Sequence, residues 1–352
     1  MNSSLQFFFE PDDYFGAWRE AVKAAKRSVD VEMYIFQDDA VGQPFAELLA
    51  VKAQQGLKVR VLYDSVGSRE ASEGLWFMLE ENGVQVQEYH PFFPLPRKLR
   101  RRDHRKVLLV DSQVGFLGGF NLMAENWRDA GVRMTDPHLV GRLQTLFDYS
   151  WEGREQVLRR LSRRRRQRWG EDGIQLVPSF GVRRLNLIRQ EYLGAIVHAE
   201  RRIELANAYF IPDRGMLRAL RRASKRGVAV RILCTGPSDV PMARWASQHN
   251  YSRLLRDGVR IFEFQPRMMH AKTAVIDGSW FTVGTANIDH LSFFHNLELN
   301  LVGRDAAAAR ELEAQFERDL LDSREIRLEE WEQRPAWRRR RERFWHMFRA
   351  WM

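Results

Sequence analysis

The sequence HAKTAVIDGSWFTVGTAN, residues 270–287, begins with the pattern H-x-K-x4-D. His270, Lys272 and Asp277 form this pattern. Six residues separate Asp277 from a turn of small residues, GTAN, which ends at Asn287. A single copy would carry little weight, because a histidine and a lysine on an exposed strand edge match so short a pattern by chance. The pattern gains its weight from a second occurrence in the same chain.

The second copy is HRKVLLVD, in which His104, Lys106 and Asp111 occupy the same positions. Six residues separate this aspartate from the turn GGFN, which ends at Asn121. The chain contains 48 arginines and only 8 lysines, yet both copies have lysine at the second position. We infer that this position requires the compact ammonium group of lysine and not a planar guanidinium group.

The alternation of side chains within each motif predicts which residues face the same way. In a β-strand, successive side chains point to opposite faces, so a strand over residues 104–110 places His104 and Lys106 side by side. By the same parity, Asp111 and Asp277 fall on the face opposite their histidines. We therefore interpret these two carboxylates as structural members of the motifs.

Helices and strands alternate in both halves of the chain, which predicts layered α/β structure. The first half has predicted helices at residues 17–26 and 44–54 and predicted strands at 29–36 and 58–63. The second half repeats this order, with helices at 186–198 and 215–225 and strands at 202–210 and 228–234. The repeat indicates an internal duplication. We predict two similar α/β/α sandwich domains, related by a pseudo-twofold axis that brings the two motifs together at the domain interface.

The motifs and the composition divide the chain into four parts. The first motif lies in an N-terminal domain, residues 1–155, and the second motif in a C-terminal domain, residues 174–322. Between them, residues 156–173 carry seven arginines and read as a basic linker. Residues 323–352 form a basic amphipathic tail.

The excess of positive charge predicts a polyanionic partner, because the formal net charge is +10 at pH 7. The one cysteine, Cys234, cannot form an internal disulfide and fits a reducing cytoplasm. The N-terminal sequence lacks the features of a signal peptide, and no run of about 18 apolar residues predicts a membrane span. We expect peripheral contact with the cytoplasmic face of the cell membrane.

Two segments combine aromatic and basic residues in a way that favours an anionic lipid surface. Residues 90–102, HPFFPLPRKLRRR, immediately precede the first motif, and the alternative for them is a loop packed on its own domain. Residues 337–352 form a predicted amphipathic helix, and the alternative is a helix packed on the core. Four aromatic residues share one stripe of that helix: Trp337, Phe344, Phe348 and Trp351. Because aromatic and basic residues concentrate in one loop and one tail, no nucleic-acid partner is expected.

The residue types of the duplicated motif suit transfer of a phosphodiester. One imidazole can attack phosphorus, and the other can protonate the leaving oxygen and then deprotonate the acceptor alcohol. The cationic and amide groups suited to holding the phosphoryl oxygens are Lys106, Lys272, Asn121 and Asn287. This set requires neither a cofactor nor a metal ion.

The paired motifs resemble the HKD motifs of the phospholipase D superfamily. The flanking sequences YFIPD at 209–213, SDVP at 238–241 and SFFHNLELN at 292–300 are most similar to those of bacterial cardiolipin synthases. The resemblance covers residues 7–303 and implies the phospholipase D type of α/β/α domain. Thr285 stands where such enzymes often have serine.

The resemblance implies a phosphatidyltransferase that joins two phosphatidylglycerol molecules, releases glycerol and passes through a phosphohistidine. It implies that His104 is the nucleophile and His270 the acid and base, although the symmetry of the halves leaves the reverse assignment open. It also places Asp129 and Glu298 where the superfamily keeps carboxylates that orient the histidines. The alternatives are a hydrolase or nuclease-like phosphodiesterase of the same superfamily, and a non-catalytic module that binds anionic membranes.

Overall fold

Two mixed β-sheets form the framework of the structure, a computed structural model that describes residues 4–89, 101–154, 173–180 and 186–351. In the first sheet the strands lie in the order β1-β7-β6-β5-β2-β3-β4. Its strands are β1 (Leu5–Phe8), β2 (Ser28–Met33), β3 (Lys58–Asp64), β4 (Gln85–Tyr89), β5 (Lys106–Val110), β6 (Val114–Gly118) and β7 (Gly131–Met134). The helices of this half are α1 (Pro11–Ala24), α2 (Gly42–Gln54), α3 (Glu73–Glu81) and α4 (Pro137–Trp151).

The second sheet repeats the arrangement of the first and adds one strand at its edge, in the order β15-β11-β10-β9-β12-β13-β14-β8. Its strands are β8 (Ile174–Phe180), β9 (Arg202–Asn207), β10 (Ala229–Thr235), β11 (Arg260–Phe264), β12 (Lys272–Ile276), β13 (Trp280–Gly284), β14 (Leu297–Arg304) and β15 (Ser323–Ile326). Its helices up to that edge strand are α5 (Leu187–Val197), α6 (Arg214–Lys225), α7 (Pro241–Gln248), α8 (Tyr251–Arg256), α9 (His290–Phe294) and α10 (Ala306–Leu321). The predicted duplication is confirmed, because each strand of the first sheet has a counterpart at the same place in the second.

Both motif strands occupy the centre of their sheets and have the same neighbours. Strand β5 pairs antiparallel with β2 and β6, and β12 pairs antiparallel with β9 and β13. On the other side of each motif strand, β2, β3 and β4 run parallel to one another, as do β9, β10 and β11, and helices link them, whereas the edge strand β15 pairs antiparallel with β11. The predicted α/β class is therefore confirmed, and both sheets are mixed.

The two sheets share one hydrophobic core. A single cluster of buried residues includes β1 and β5–β7 of the first sheet and β8, β13 and β14 of the second, together with α4 and α10. Within this cluster the rings of Phe7 and Phe281 meet edge to face, with centroids 6.1 Å apart. Helices α1–α3 cover the outer face of the first sheet, and α5, α6, α8 and α9 cover that of the second. The layers explain why one half cannot bury its inner face without the other.

The chain continues past strand β15, and this strand lies beyond the residue 322 boundary predicted for the second domain. The remaining elements are α11 (Leu328–Glu332), α12 (Ala336–Met347) and a short 3-10 helix (Arg349–Trp351). The predicted linker at 156–173 and the loop at 90–102 lie almost entirely outside the described residues. Among the described helices, none combines the length and the apolar character needed to cross a bilayer.

Candidate active site

The two motif histidines meet between the sheets, and each one contacts a carboxylate of the other half. The Nδ1 atom of His104 lies 3.0 Å from Oε2 of Glu298, and the Nδ1 atom of His270 lies 2.5 Å from Oδ2 of Asp129. Each predicted carboxylate follows one motif along the chain but orients the histidine of the other motif. The site is therefore complete only when the halves are packed together.

The backbone enforces this exchange of partners. The amide of His104 donates to the carbonyl of Leu297 at 3.0 Å, immediately before Glu298. In the symmetrical place, the amide of His270 donates to the carbonyl of Arg128 at 2.7 Å, immediately before Asp129. Because these bonds hold the histidine segments away from their own sheets, strands β5 and β12 begin at the lysines. The predicted strand at 104–110 was therefore wrong at its first two residues.

The two motif lysines are the first residues of β5 and β12 and have no exposed side-chain surface. Lys106 Nζ donates to the carbonyl of His104 at 2.7 Å, and Lys272 Nζ donates to the carbonyl of His270. The ring of Tyr34 lies under the ammonium group of Lys106, with its centroid 4.8 Å from Nζ. These contacts keep both ammonium groups beside the imidazoles.

Burial lowers the pKa values of the basic groups in this site. Desolvation lowers the pKa of His104 to about 4, although Glu298 opposes the shift. It lowers the pKa of Lys106 to about 7 and that of Lys272 to about 8. The pKa of His270 also lies below its usual value, because burial and the charge of Lys272 outweigh the attraction of Asp129. At neutral pH both imidazoles of the free site are therefore neutral.

The two carboxylates remain ionised despite complete burial. Burial alone would raise the pKa of Asp129, but Lys272 and His270 hold it below its usual value. For Glu298, His104 and Lys106 likewise overcome the effect of burial and lower the pKa. An ionised carboxylate at Nδ1 fixes the tautomer that carries its proton there. The Nε2 lone pair of each neutral imidazole is then directed into the site.

The two halves support their carboxylates differently. The hydroxyl of Thr285 donates to Glu298 at 2.5 Å and accepts from the amide of Leu299 at 3.0 Å. Thr285 therefore keeps the hydroxyl function of the serine that related enzymes often have here. The equivalent residue of the first half is Gly119, where an added Cβ would stand 2.6 Å from Cγ of Asp129. That half accommodates its carboxylate through the absence of a side chain.

Replacing Gly119 with alanine should therefore displace Asp129 and disturb His270. We expect turnover to fall by about tenfold to a hundredfold, because a shift near 1 Å in a reacting group costs that much. The matched control is Gly141→Ala in helix α4, where a Cβ meets nothing within 4 Å. Steady-state kinetics on both variants test this prediction, and equal activities would contradict it.

The two predicted asparagines are also buried at the site. Asn121 and Asn287 end the turns that follow β6 and β13, and each is less than a tenth exposed. Their side-chain amide oxygens have no hydrogen-bond partner among the described residues. Because an amide can rotate to exchange its oxygen and nitrogen, each side chain can offer an N–H to an incoming oxygen.

The motif aspartates do not reach this site. Asp111 and Asp277 follow the last residues of β5 and β12, which puts them roughly 17 Å from the motif lysines at the usual rise per strand residue. The Asp111 carboxylate accepts three backbone amides at 2.7 to 2.9 Å, from residues 26–28. The Asp277 carboxylate accepts three at 2.8 to 2.9 Å, from residues 200–202. Both lie beyond the strand ends, not on the opposite strand face as parity predicted.

Replacing Asp277 with asparagine should lower stability and leave turnover per folded molecule unchanged. Asparagine tolerates the positive φ of 54° at this position, so the change mainly weakens the amide contacts. We expect a loss of about 1 to 2 kcal/mol, since the carboxylate is partly exposed and solvent screens its charge. Because the pKa of Asp277 is lowered on folding, its contribution is present above the unfolded pKa and lost as pH falls through the folded pKa. Urea unfolding at neutral and acid pH measures both effects, and a selective loss of turnover would contradict this structural role.

Several aromatic residues that the motif analysis missed surround the histidines. The ring centroids of Tyr34 and His104 lie 4.7 Å apart, and those of Trp127 and His270 lie 4.8 Å apart. The ring centroids of Tyr209 and His270 lie 6.5 Å apart, and the Tyr209 hydroxyl donates to Asp239 at 2.5 Å. Tyr34 and Tyr209 each follow the strand beside a motif strand, so the internal repeat contained a signal for this pair. In the described part of the chain, no group of three or more His, Cys, Asp or Glu side chains is placed to hold a metal ion.

The sequence profile described as "Cardiolipin synthase, PLD-like domain" matches residues 19–151 and 192–320. The cardiolipin synthase of Oceanobacillus iheyensis is 32% identical over 345 residues, which is 95% of this chain and 72% of that protein. The major cardiolipin synthase of Bacillus subtilis is 32% identical over 356 residues, covering 97% of this chain and 74% of that protein.

A solved structure shares the fold over the whole chain. The crystal structure of phosphatidylserine synthase from Haemophilus influenzae superimposes with a TM-score of 0.80, covering 100% of this chain and 96% of that chain. The identity is 14%, so this likeness shows the arrangement of the two halves only.

Proposed function

We propose that this chain, which belongs to the cardiolipin synthase family of enzymes with phospholipase D-like domains, joins two phosphatidylglycerol molecules with release of glycerol. In this reaction it acts as a phosphatidyltransferase. The observation that carries the mechanism is the pair of buried imidazoles, each contacted at Nδ1 by a buried carboxylate of the opposite half. Two buried lysines beside them supply positive charge for an anionic phosphodiester. The residues assigned below are part of this proposal.

In the first step, Nε2 of His104 attacks the phosphorus of the donor lipid. The bond from phosphorus to the glycerol oxygen breaks, and that oxygen takes a proton from Nε2 of His270 to leave as glycerol. In the second step, the now neutral His270 removes the proton from a hydroxyl of the second phosphatidylglycerol. The resulting oxygen attacks phosphorus, the phosphorus–nitrogen bond breaks, and cardiolipin is released with His104 free again.

The first step requires a proton on His270, which is neutral in the free site. The substrate can provide the condition for it, because a phosphodiester anion between Lys106 and Lys272 offsets the positive charge that lowers the pKa of His270. Asp129 then stabilises the imidazolium ion at its other nitrogen. Binding of the donor lipid thus favours the protonated form of His270, which gives up its proton in the first step.

The phosphoryl oxygens gain negative charge as the new bond forms. Lys106 and Lys272 each lie next to one motif histidine, and the amides of Asn121 and Asn287 offer further donors once rotated. Because the site is buried, these charges and dipoles act at low local dielectric and are worth more than in water. The four groups therefore favour the transition state over the singly charged substrate.

The proposal includes peripheral membrane contact at the cytoplasmic face, through the tail helix and residues 90–102. Helix α12 packs on α7, where Trp345 joins the apolar cluster formed by Ile211, Ala243 and Ala246. Tyr209 of the site packs against the same cluster, so the tail helix is fixed close to the catalytic groups. Three aromatic side chains of this helix and of the residue that follows it remain in solvent: Trp337, Phe344 and Phe348 are 56%, 48% and 42% exposed. The net charge of +10 supports attraction to an anionic surface.

Replacing Trp337, Phe344 and Phe348 together with serine should weaken binding to phosphatidylglycerol vesicles by about a hundredfold or more, because buried apolar area drives interfacial insertion. Helix α12 should stay folded, since the side chains that pack on α7 are retained. The control variant carries serine at Val197 and Leu321, which are exposed apolar residues outside helix α12. Vesicle sedimentation measures both variants, and equal binding would remove the tail from the membrane contact.

Product analysis tests the proposed reaction. Purified protein is incubated with phosphatidylglycerol vesicles, and the lipids and the released alcohol are identified by mass spectrometry. Cardiolipin with an equal amount of free glycerol is the expected result. Phosphatidic acid as the sole product would replace the transferase with a hydrolase. Cleavage of single-stranded DNA without lipid turnover would instead place the activity among nuclease-like phosphodiesterases.

A further inference from the structure

A second basic site lies outside the catalytic groups, between the tail helix and the second sheet. It is a cavity of about 270 Å³ bounded by α7, α11, α12, the edge strand β15 and its neighbour β11. Five arginines line it: Arg244, Arg324, Arg334, Arg338 and Arg341. The motif mechanism uses none of these residues.

Three of the arginines are matched by the three carboxylates of the cavity wall. Arg334 forms two hydrogen bonds to Glu342, at 2.9 and 2.7 Å, in a pair that is almost fully buried. In addition, Arg244 contacts Glu263 at 2.8 Å, and Arg324 contacts Glu330 at 3.2 Å. These pairs leave the remaining two arginines as excess positive charge.

Arg338 and Arg341 form no ion pair with any residue in the described ranges, and their neighbours are aromatic rings. The guanidinium carbon of Arg341 lies 4.0 Å from the ring centroid of Trp245 and 5.0 Å from that of Trp337. The guanidinium carbon of Arg338 lies 5.4 Å from the ring centroid of Trp337. The Nε atom of Arg341 is buried and has no hydrogen-bond partner among the described residues. A buried donor without a partner is unusual in a folded protein and indicates a missing acceptor.

The two arginines lie next to the exposed aromatic stripe of helix α12. On a helix with 3.6 residues per turn, Trp337 lies about 40° from Arg341, so the cavity and the stripe are adjacent. Trp337 itself contacts both arginines and forms the boundary between the two surfaces. A helix that inserts its aromatic stripe among lipid headgroups would hold the cavity at the depth of their phosphates.

We propose that this cavity binds the phosphate group of an anionic phospholipid through Arg338 and Arg341, as a second lipid site distinct from the catalytic one. Arginine suits this ligand, because its planar donors match phosphate oxygens two at a time. The site would anchor the enzyme to the surface that contains its substrates. The proposal uses the membrane contact proposed above to name the source of the phosphate, but it needs no part of the catalytic mechanism.

A comparison of two charge-matched variants tests the site. The cavity variant carries Arg338→Gln and Arg341→Gln, and the control variant carries Arg339→Gln and Arg340→Gln. Both lose two charges from the same helix, but Arg339 and Arg340 lie about 160° and 100° from Arg341 and do not line the cavity. Sedimentation is measured with vesicles of equal parts phosphatidylglycerol and phosphatidylcholine. Thermal unfolding is measured with inorganic phosphate and with chloride at equal ionic strength.

We expect the cavity variant to lose about tenfold more vesicle affinity than the control, since charge-assisted bonds to phosphate are lost in addition to general attraction. Inorganic phosphate should raise the melting temperature of the unsubstituted protein and of the control by more than that of the cavity variant, which retains only the catalytic site for this ion. If the double variant is unstable in chloride, Arg338→Gln and Arg339→Gln are compared singly.

Equal losses of vesicle affinity in the two variants, together with equal stabilisation by inorganic phosphate, would overturn the proposal. Phosphate stabilisation through the cavity, with equal losses of vesicle affinity, would overturn the lipid source and assign the cavity to free phosphate. A His104→Ala variant should bind vesicles normally, which separates failure of this site from failure of the catalytic proposal.

Discussion

Replacing His104 with alanine is expected to lower phosphatidylglycerol turnover by roughly a thousandfold or more, because no other group at the site replaces the attacking Nε2. His270→Ala should cause a similar loss, because glycerol would leave without a proton. The double variant should be little worse than either single variant, since the two imidazoles act in one reaction. Steady-state turnover of the three variants provides the measurement.

The control for these variants is His138→Ala, which changes an exposed histidine at the start of helix α4. It should retain full activity. Losses that multiply in the double variant would mean that the two histidines act in independent steps. Such a result would contradict the proposal that both histidines act on the same phosphoryl group in one reaction.

Replacing Lys272 with methionine is expected to lower kcat/KM by roughly a hundredfold to a thousandfold, because a buried positive charge next to the phosphoryl oxygens is removed. Lys272→Arg should be a poor substitute, because a planar guanidinium group does not fit a fully buried ammonium site. Steady-state kinetics across pH measure both variants.

The pH dependence gives this prediction a second readout. In the unsubstituted enzyme, kcat/KM should decline as pH rises through about 7 to 8, the pKa values of Lys106 and Lys272, because the neutral amines no longer stabilise charge. In Lys272→Met the charge that lowers the pKa of Lys106 is absent. The alkaline decline should therefore move to higher pH. An unchanged pH profile would contradict the electrostatic role of the lysine pair.

The repeated motif was sufficient to predict the class of fold and the meeting of the two halves. Local sequence carries this information, because strand and helix periodicity and the spacing of the motif are visible within short stretches. The helix predicted at 215–225 is observed at Arg214–Lys225, and the strand at 58–63 at Lys58–Asp64. Gly227 follows the helix and Gly56 precedes the strand, and both glycines adopt positive φ in the turns that bound these segments.

The exchange of carboxylates between the halves was not predictable from local sequence. Glu298 follows the second motif but orients His104, because backbone bonds to Leu297 hold the first motif against strand β14. A contact between residues so far apart in the chain depends on how the sheets pack. The same packing removes His104 from the strand that its periodicity predicted.

The tail was predicted from its amphipathic pattern as a helix at a membrane surface or as one packed on the core. The structure combines features of both, because Trp345 packs on helix α7 while Trp337 and Phe344 remain exposed. A helical wheel gives the angular position of each residue but not which neighbour covers it. The packed side and the exposed side are therefore distinguished only in the folded chain.

The most direct test of the central claim is to trap the phosphorylated histidine with a donor lipid that needs no acid. A phosphatidyl ester of p-nitrophenol has such a leaving group, so His270→Ala should still release nitrophenol in a burst of one equivalent. Without His270, no base activates the acceptor, and the covalent lipid should accumulate. Mass spectrometry of the digested protein should locate the phosphatidyl group on the peptide that contains His104. A lipid adduct on the His270 peptide of the His104→Ala variant, with no burst from His270→Ala, would contradict the assignment of the nucleophile.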